Sequence, residues 1–145
     1  MLNISRYHII AVGKVKRKWI QSGLELYLNR LPGLKITEIK DSTQSKEALA
    51  IKQAVKKNEL LITLNETGKS FTSKEFASKL QEPKNQFLTF AIGGASGLSP
   101  EINEIASWQL SLSPFTFPHE LARLLLVEQL YRAQTIAQGG PYHKG

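Results

Sequence analysis

The sequence predicts one α/β domain spanning 1–145, built on a mostly parallel five-stranded sheet flanked by helices. Three observations carry this. Five short apolar runs, many of them β-branched, read as buried strands: YHIIAV (7–12), LKITEI (34–39), LLITL (60–64), FLTFAI (87–92) and WQLSL (108–112). Segments with helical spacing alternate with them, at 19–31, 46–57, 73–80, 100–106 and 118–138, and such alternation belongs to parallel α/β sheets. With 145 residues, 41% hydrophobic and 21% charged, the chain can build one core, and it carries no internal repeat or low-complexity tract.

The punctuation between elements agrees. Pro32-Gly33 stops the first helix, Ser73 is placed to cap the third with Phe76 and Leu80 on its buried side, and Pro100 and Pro118 suit the first position of a helix. The last helix carries Leu121, Leu124, Leu125, Leu126, Val127 and Leu130 around much of its circumference, which implies burial from several sides. In so small a domain a second subunit is a natural source of that burial. Arg123 lies among these leucines and needs a partner or a site there. Glu128 and Arg132 are spaced as an i,i+4 ion pair.

Composition excludes several classes of function. The absence of cysteine removes disulfides, thiolate zinc sites and cysteine nucleophiles, and fits a reducing compartment. His8, His119 and His143 are scattered without ligand spacing, so no metal is expected. No stretch approaches the ~20 apolar residues of a membrane span, and the start, MLNISRYHIIAVGK, reads as a first strand with no cleavage site. We therefore expect a cytoplasmic protein. The net charge of +7 is uneven: residues 1–57 hold 12 Lys and Arg against 4 acids, and residues 85–145 hold 3 against 4. A solubilising surface and attraction to a polyanion such as RNA both account for this.

In parallel sheets ligands sit at the carboxyl ends of the strands, so the loops there carry the chemistry. GKVKRK follows the first strand and gathers Lys14, Lys16, Arg17 and Lys18; cations in a first helical turn oppose the helix dipole, and an RNA backbone would justify them. Solvated lysines are the plainer reading. LNETGKS has Gly68-Lys69-Ser70 but Thr63 where a phosphate-binding loop needs its first glycine, so it reads as a turn. FAIGGASGLSPEI fails the dinucleotide pattern at Ile92, which leaves Gly93 and Gly94 for close backbone approach and Gly97 for a positive φ. A bare strand-to-helix turn needs only one of them. SPFTFPHE is stiffened by Pro114 and Pro118 and can wall a pocket with Phe115, Thr116 and Phe117. After Gly139-Gly140, the tail PYHKG is either frayed and idle or reaches RNA.

Together AVGK, LITL, FAIGGASGL, LSLSPFTFPHELARLLLVEQLYRA and the closing YHK resemble the SPOUT-superfamily methyltransferase H family of large-subunit ribosomal RNA enzymes, which modify N3 of pseudouridine 1915 in 23S ribosomal RNA. The likeness runs from about residue 9 to residue 144 and is most specific over 92–131. Ala95 stands where serine is common, Phe115 where methionine is common, and the region between 39 and 60 looks short.

The resemblance implies a trefoil knot in the carboxyl-terminal part, a homodimer, and S-adenosyl-L-methionine as cofactor, lined by Leu64, Gly93, Leu112, Ser113, Pro114, Phe115, Thr116 and Phe117. It implies 23S ribosomal RNA, naked or in the assembled ribosome, as substrate. Lys14, Lys16, Arg17 and Arg123 would hold phosphates, Tyr142 would stack on the base, and His143 and Lys144 would reach it from the tail. His143, supplied in a dimer by either chain, is the first choice to take the N3 proton, and His119 is the second. A non-catalytic RNA-binding factor is the other reading, and a nucleotide hydrolase using Lys69 a third.

Overall fold

The computed structural model describes residues 2–83 and 86–145. Its strands are β1 (Tyr7–Val12), β2 (Lys35–Ile39), β3 (Glu59–Ser70), β4 (Phe87–Ile92) and β5 (Trp108–Ser111). Its helices are α1 (Lys18–Leu28), α2 (Gln44–Ala54), α3 (Ser73–Gln81), α4 (Pro100–Ile105) and α5 (His119–Gln138). The sheet order is β2-β1-β4-β3-β5 and every neighbouring pair is parallel. All carboxyl ends therefore lie along one edge.

Every residue of β1 is buried, as expected for a central parallel strand covered on both faces. Successive side chains alternate between two cores. Ile9 and Ala11 join Ile62, Leu88, Phe90 and Ile92 beneath α1, α3 and α5, whereas Ile10 and Val12 join Leu61 and Ala91 beneath α2 and α4. Phe90 is fully buried and meets Tyr7 and Phe76 edge-on, at ring-centroid distances of 6.5 and 6.4 Å.

Three elements differ from the sequence reading. The strand expected to end at Leu64 runs on to Ser70, because its ladder with β5 slips: Leu110 faces both Leu64 and Lys69, and the four residues between them, Asn65, Glu66, Thr67 and Gly68, form a bulge. Thr72, not Ser73, caps α3, in a reciprocal capping box with Glu75; the Ser73 hydroxyl instead donates to Gln129 on α5 at 2.8 Å. Helix α5 is buried along one stripe, Leu126, Val127, Leu130 and Ala133, while Leu121, Leu124 and Leu125 are only half-buried. The rest of the described chain covers that second stripe only in part, Leu124 packing against α1 at Gly23.

Truncating Phe90 to alanine is expected to cost about 3–5 kcal/mol, read as a fall in the urea midpoint. The same change at Phe115, which is 77% exposed, is expected to move stability by no more than about 0.5 kcal/mol.

Candidate active site

The chain leaves β1 toward α1 on one face and β4 toward α4 on the other, so adjacent strands send their loops apart and open a crevice at their carboxyl ends. The start of α5 closes one side of it. The buried Arg123 guanidinium donates from Nη1 to Glu38 on β2 at 2.7 Å and from Nη2 to the Gly13 carbonyl after β1 at 2.9 Å. One turn earlier, the buried Glu120 carboxylate accepts the amides of Lys16 and Arg17 at 3.0 and 3.1 Å. The hydrogen bond from the Arg17 amide is the main cause that holds Glu120 below the usual glutamate range. Glu120 also answers the helix-dipole difficulty in GKVKRK, because it brings a negative charge to the start of α1, whose own first turn has none. Arg123 thus leaves the phosphate-binding set: at 4% exposure, with both terminal nitrogens engaged inside the protein, it ties strands to helix.

Each glycine of the GGASG turn has a reason within the chain. The Gly97 amide bonds back to the Gly94 carbonyl at 3.0 Å, so the turn folds over itself. A Cβ on Gly93 would lie 2.6 Å from the Gly97 carbonyl carbon, one on Gly94 would lie 3.0 Å from Val12, and Gly97 has φ +72°. This strand-to-helix turn therefore needs all three glycines for its own fold, without a ligand. What the turn does provide is a thin backbone wall between β4 and the crevice.

The β3 bulge and the loop after β5 grip each other. Ser111 Oγ donates to the Glu66 carbonyl at 3.0 Å, and Thr116 Oγ1 donates to the Glu66 carboxylate at 2.7 Å. Ser113 Oγ accepts the Phe115 amide at 3.0 Å; the amides of Ser113, Thr116 and Phe117 meet no acceptor among the described residues. Beneath this loop lies a cavity of about 280 Å³ walled by Phe71, Phe76, Leu110, Leu112, Phe117 and Leu125. Apolar walls beside uncommitted backbone donors suit a ligand with an aromatic ring and polar arms. Of the residues expected to line a cofactor, Leu112 and Phe117 wall this cavity; Leu64, Gly93 and residues 113–116 are not part of its lining, although they lie toward the same carboxyl ends of the sheet.

A second, larger cavity, about 650 Å³, opens at the ends of β1 and β2. Three lysines, Lys14, Lys16 and Lys40, line it together with Ile39, His119 and two acids, Asp41 and the Arg123-paired Glu38. His119 Nε2 sits above Gly13, 3.7 Å from where a Cβ would be. The β5–α5 loop therefore walls the first cavity, and the first residue of α5 walls the second. Arg17 lies beside them with its guanidinium 3.6 Å from Glu120 and half-exposed. Lys40 joins this basic group, which reading the GKVKRK run alone did not show.

The tail docks at the other end of α5. Arg132 pairs with Glu128 at 2.6 Å, as the spacing predicted, and its Nη1 lies 3.0 Å from His143 Nδ1. A guanidinium only donates, so Nδ1 accepts and the neutral ring carries its proton on Nε2. His143 in this arrangement is a hydrogen-bond donor toward anything it meets, not a proton acceptor. Tyr142 donates to Glu128 at 2.9 Å, lies 3.1 Å from the Tyr27 hydroxyl, packs edge-on to Tyr131 and sits under the Arg132 guanidinium. Burial, first of all, pushes its hydroxyl pKa up. Tyr142 is an anchor for the tail here rather than a bare stacking platform, and Lys144 stays exposed. Thirteen residues of helix between His119 and Arg132 place the tail about 20 Å along α5 from the loops.

Residues 5–143 match the family model described as "Predicted SPOUT methyltransferase". This chain belongs to the SPOUT methyltransferase family. It is 69% identical over 144 residues to the ribosomal RNA large subunit methyltransferase H of Prochlorococcus marinus, covering 99% of both chains. A Synechococcus protein of the same name is 58% identical over 143 residues, again across 99% of both. Among solved structures, a probable methylase family protein from Haemophilus influenzae superposes with TM-score 0.67 at 15% identity, over 99% of this chain and 72% of that one. The SpoU methyltransferase AviRb from Streptomyces viridochromogenes, in complex with AdoMet, superposes with TM-score 0.51 at 11% identity, over 92% and 58%. At those identities the likeness is one of fold. Among the described residues there is no helix long and apolar enough to cross a membrane, and no group of three or more His, Asp or Glu placed to hold a metal.

Gly93→Ala forces its Cβ into backbone and is expected to cost about 1–3 kcal/mol, measured by urea denaturation. Glu120 has a lowered folded-state pKa, so its stabilising contribution is present above the unfolded glutamate pKa and is lost as pH falls through the folded value. Glu120→Gln is therefore expected to flatten that acid limb in thermal melts, while wild type loses stability there.

Proposed function

We propose that this protein is an S-adenosyl-L-methionine-dependent methyltransferase of large-subunit ribosomal RNA, which methylates N3 of a pseudouridine in 23S ribosomal RNA on the assembled ribosome. The observation that carries the reading is the meeting, at one sheet edge, of the glycine turn, a proline-stiffened loop with uncommitted amides over an apolar cavity, and a basic cavity. Family membership and identity along nearly the whole chain to proteins named ribosomal RNA large subunit methyltransferase H support the methyl transfer to large-subunit ribosomal RNA. The reading includes a cytoplasmic location, where ribosomes are, and a carboxyl-terminal part threaded as a trefoil knot.

When bound, the cofactor supplies an electrophilic methyl on a sulfonium sulfur for in-line displacement. Leu64, Gly93, Leu112, Ser113, Pro114, Phe115, Thr116 and Phe117 hold it, through apolar walls and backbone donors. Lys14, Lys16 and Arg17, joined by Lys40, hold RNA phosphates, and the target base is unstacked to reach the crevice. N3 gives its proton to a solvent water as it takes the methyl, leaving the sulfonium as a neutral thioether. His143 meets the base with Nε2–H donating to a carbonyl beside N3, which stabilises negative charge as that proton departs; Arg132 and Glu128 fix the ring.

Docked as it is on Glu128 and Arg132, the tail stays about 20 Å from the loops of its own chain. We infer a homodimer in which the partner's tail completes the site. The half-buried Leu121, Leu124 and Leu125 and the exposed Trp19 and Leu26 are apolar surface available for such a contact.

Labelled methyl from S-adenosylmethionine, offered with ribosomes lacking the modification, is expected to appear on one 23S pseudouridine, more efficiently than on naked RNA. Binding of the cofactor without label on RNA would leave a methyltransferase with another substrate; no cofactor binding at all would favour a non-catalytic RNA-binding factor. Deleting residues 142–145 is expected to lower methyl transfer by about 100-fold or more while cofactor affinity, measured by calorimetry, stays unchanged.

A further inference from the structure

The cationic excess of the amino-terminal half is divided between the two edges of the sheet. Lys14, Lys16, Arg17 and Lys40 stand at the carboxyl edge. Arg6, Lys35, Lys56 and Lys57 surround a separate cavity of about 290 Å³ at the amino edge, together with His8, Glu59 and Phe87. The length of β1, six residues at about 3.3 Å each, puts these two groups roughly 20 Å apart.

The floor of the amino-edge cavity is already satisfied. His8 Nε2 lies 2.7 Å from the Thr37 hydroxyl, and its Nδ1 lies 3.8 Å from Glu59. Glu59 accepts from the Thr89 hydroxyl and from the Lys56 amide. Burial, the leading cause, holds His8 below the usual imidazole range, so the floor carries one carboxylate and no compensating imidazolium near neutrality. Four cations thus face a single acid that is bonded into the floor. None of the four forms an ion pair within the described residues. Beside them Phe87 is 49% exposed although it opens a core strand, and the Arg6 guanidinium lies 5.7 Å from its ring centre. Solvent-facing cations beside a half-exposed aromatic ring, one face of which Arg6 already covers, are the two components of a single-stranded nucleic-acid contact, one for phosphate and one for base stacking on the other face.

We propose that the amino edge is a second RNA-binding surface, which grips a strand of the substrate RNA by its phosphates and stacks one base on Phe87, remote from methyl transfer. This rests on RNA being the substrate. It gives the enzyme two grips on one folded polyanion, so that a short isolated oligonucleotide fills only one of them.

The test uses the full-length protein with unmodified large ribosomal subunits and follows binding over a range of salt. A variant carrying Arg6→Gln, Lys35→Gln, Lys56→Gln and Lys57→Gln is expected to reduce the slope of log affinity against log salt by about 3, at roughly 0.7 per single-strand phosphate contact. It should raise KM while kcat at saturating substrate is unchanged. Phe87→Ala alone is expected to weaken binding by about tenfold with a smaller change in slope. A photoreactive benzophenone at position 87 should crosslink to 23S ribosomal RNA. An unchanged slope and affinity in the quadruple variant, with its melting temperature intact, would overturn the proposal, and so would a crosslink to a ribosomal protein only. Binding and crosslinking are read without turnover, so wild-type protein that binds and crosslinks to RNA but transfers no methyl would sink the proposed activity and leave this surface standing.

Discussion

The first two turns of α5 hold the site together. Arg123 reaches the ends of β1 and β2 in a single guanidinium, and Glu120 fastens the loop between β1 and α1 by its amides. The charged groups are costly to bury and are tolerated because both terminal nitrogens of Arg123 and the Glu120 carboxylate find partners, although Arg123 Nε has none among the described residues. Their effect is positional: they place the Lys14–Lys16 loop, His119 and the β5–α5 loop in fixed relation at the sheet edge. A methyl transfer depends mainly on alignment of nucleophile and donor, so rigidity there is the chief requirement on the protein.

The same helix separates the two parts of the chemistry. Its amino end organises the β5–α5 loop and the basic cavity. Its carboxyl end carries Glu128, Arg132 and the docked Tyr142-His143 tail. About 20 Å of helix lies between them; in the proposed dimer a second copy unites tail and loops, and the apolar stripe left half-covered on α5 lies on the helix that both parts share.

The strands and helices were legible because the sheet is parallel and buried on both faces, which writes each strand as a continuous apolar run: β1 and β4 coincide with the runs YHIIAV and FLTFAI. The bulge within β3 was not, since NETG has the composition of a turn and only the slipped register with β5 shows that pairing resumes beyond it. The loops of the site were legible from their glycines and prolines. Their reasons were not: Gly93 and Gly94 are required by the turn's contact with itself and with Val12, which needs coordinates. Arg123 was marked as anomalous by its leucine neighbours, but its partner Glu38 lies 85 residues away, a contact that no local pattern encodes. The positions of Tyr142 and His143 depend likewise on side chains of α1 and α5.

The central claim is that loops from one chain and the tail from another make one active site. Its most direct test pairs a chain lacking residues 142–145 with a chain carrying Thr116→Arg, which blocks the cofactor loop at an exposed position. Each is confirmed inactive alone, and the two are co-produced with different tags and purified as the mixed dimer. Methyl transfer to unmodified ribosomes by the mixed dimer, from one rebuilt site, is the predicted result. A mixed dimer that forms, binds S-adenosylmethionine and stays inactive would contradict the account.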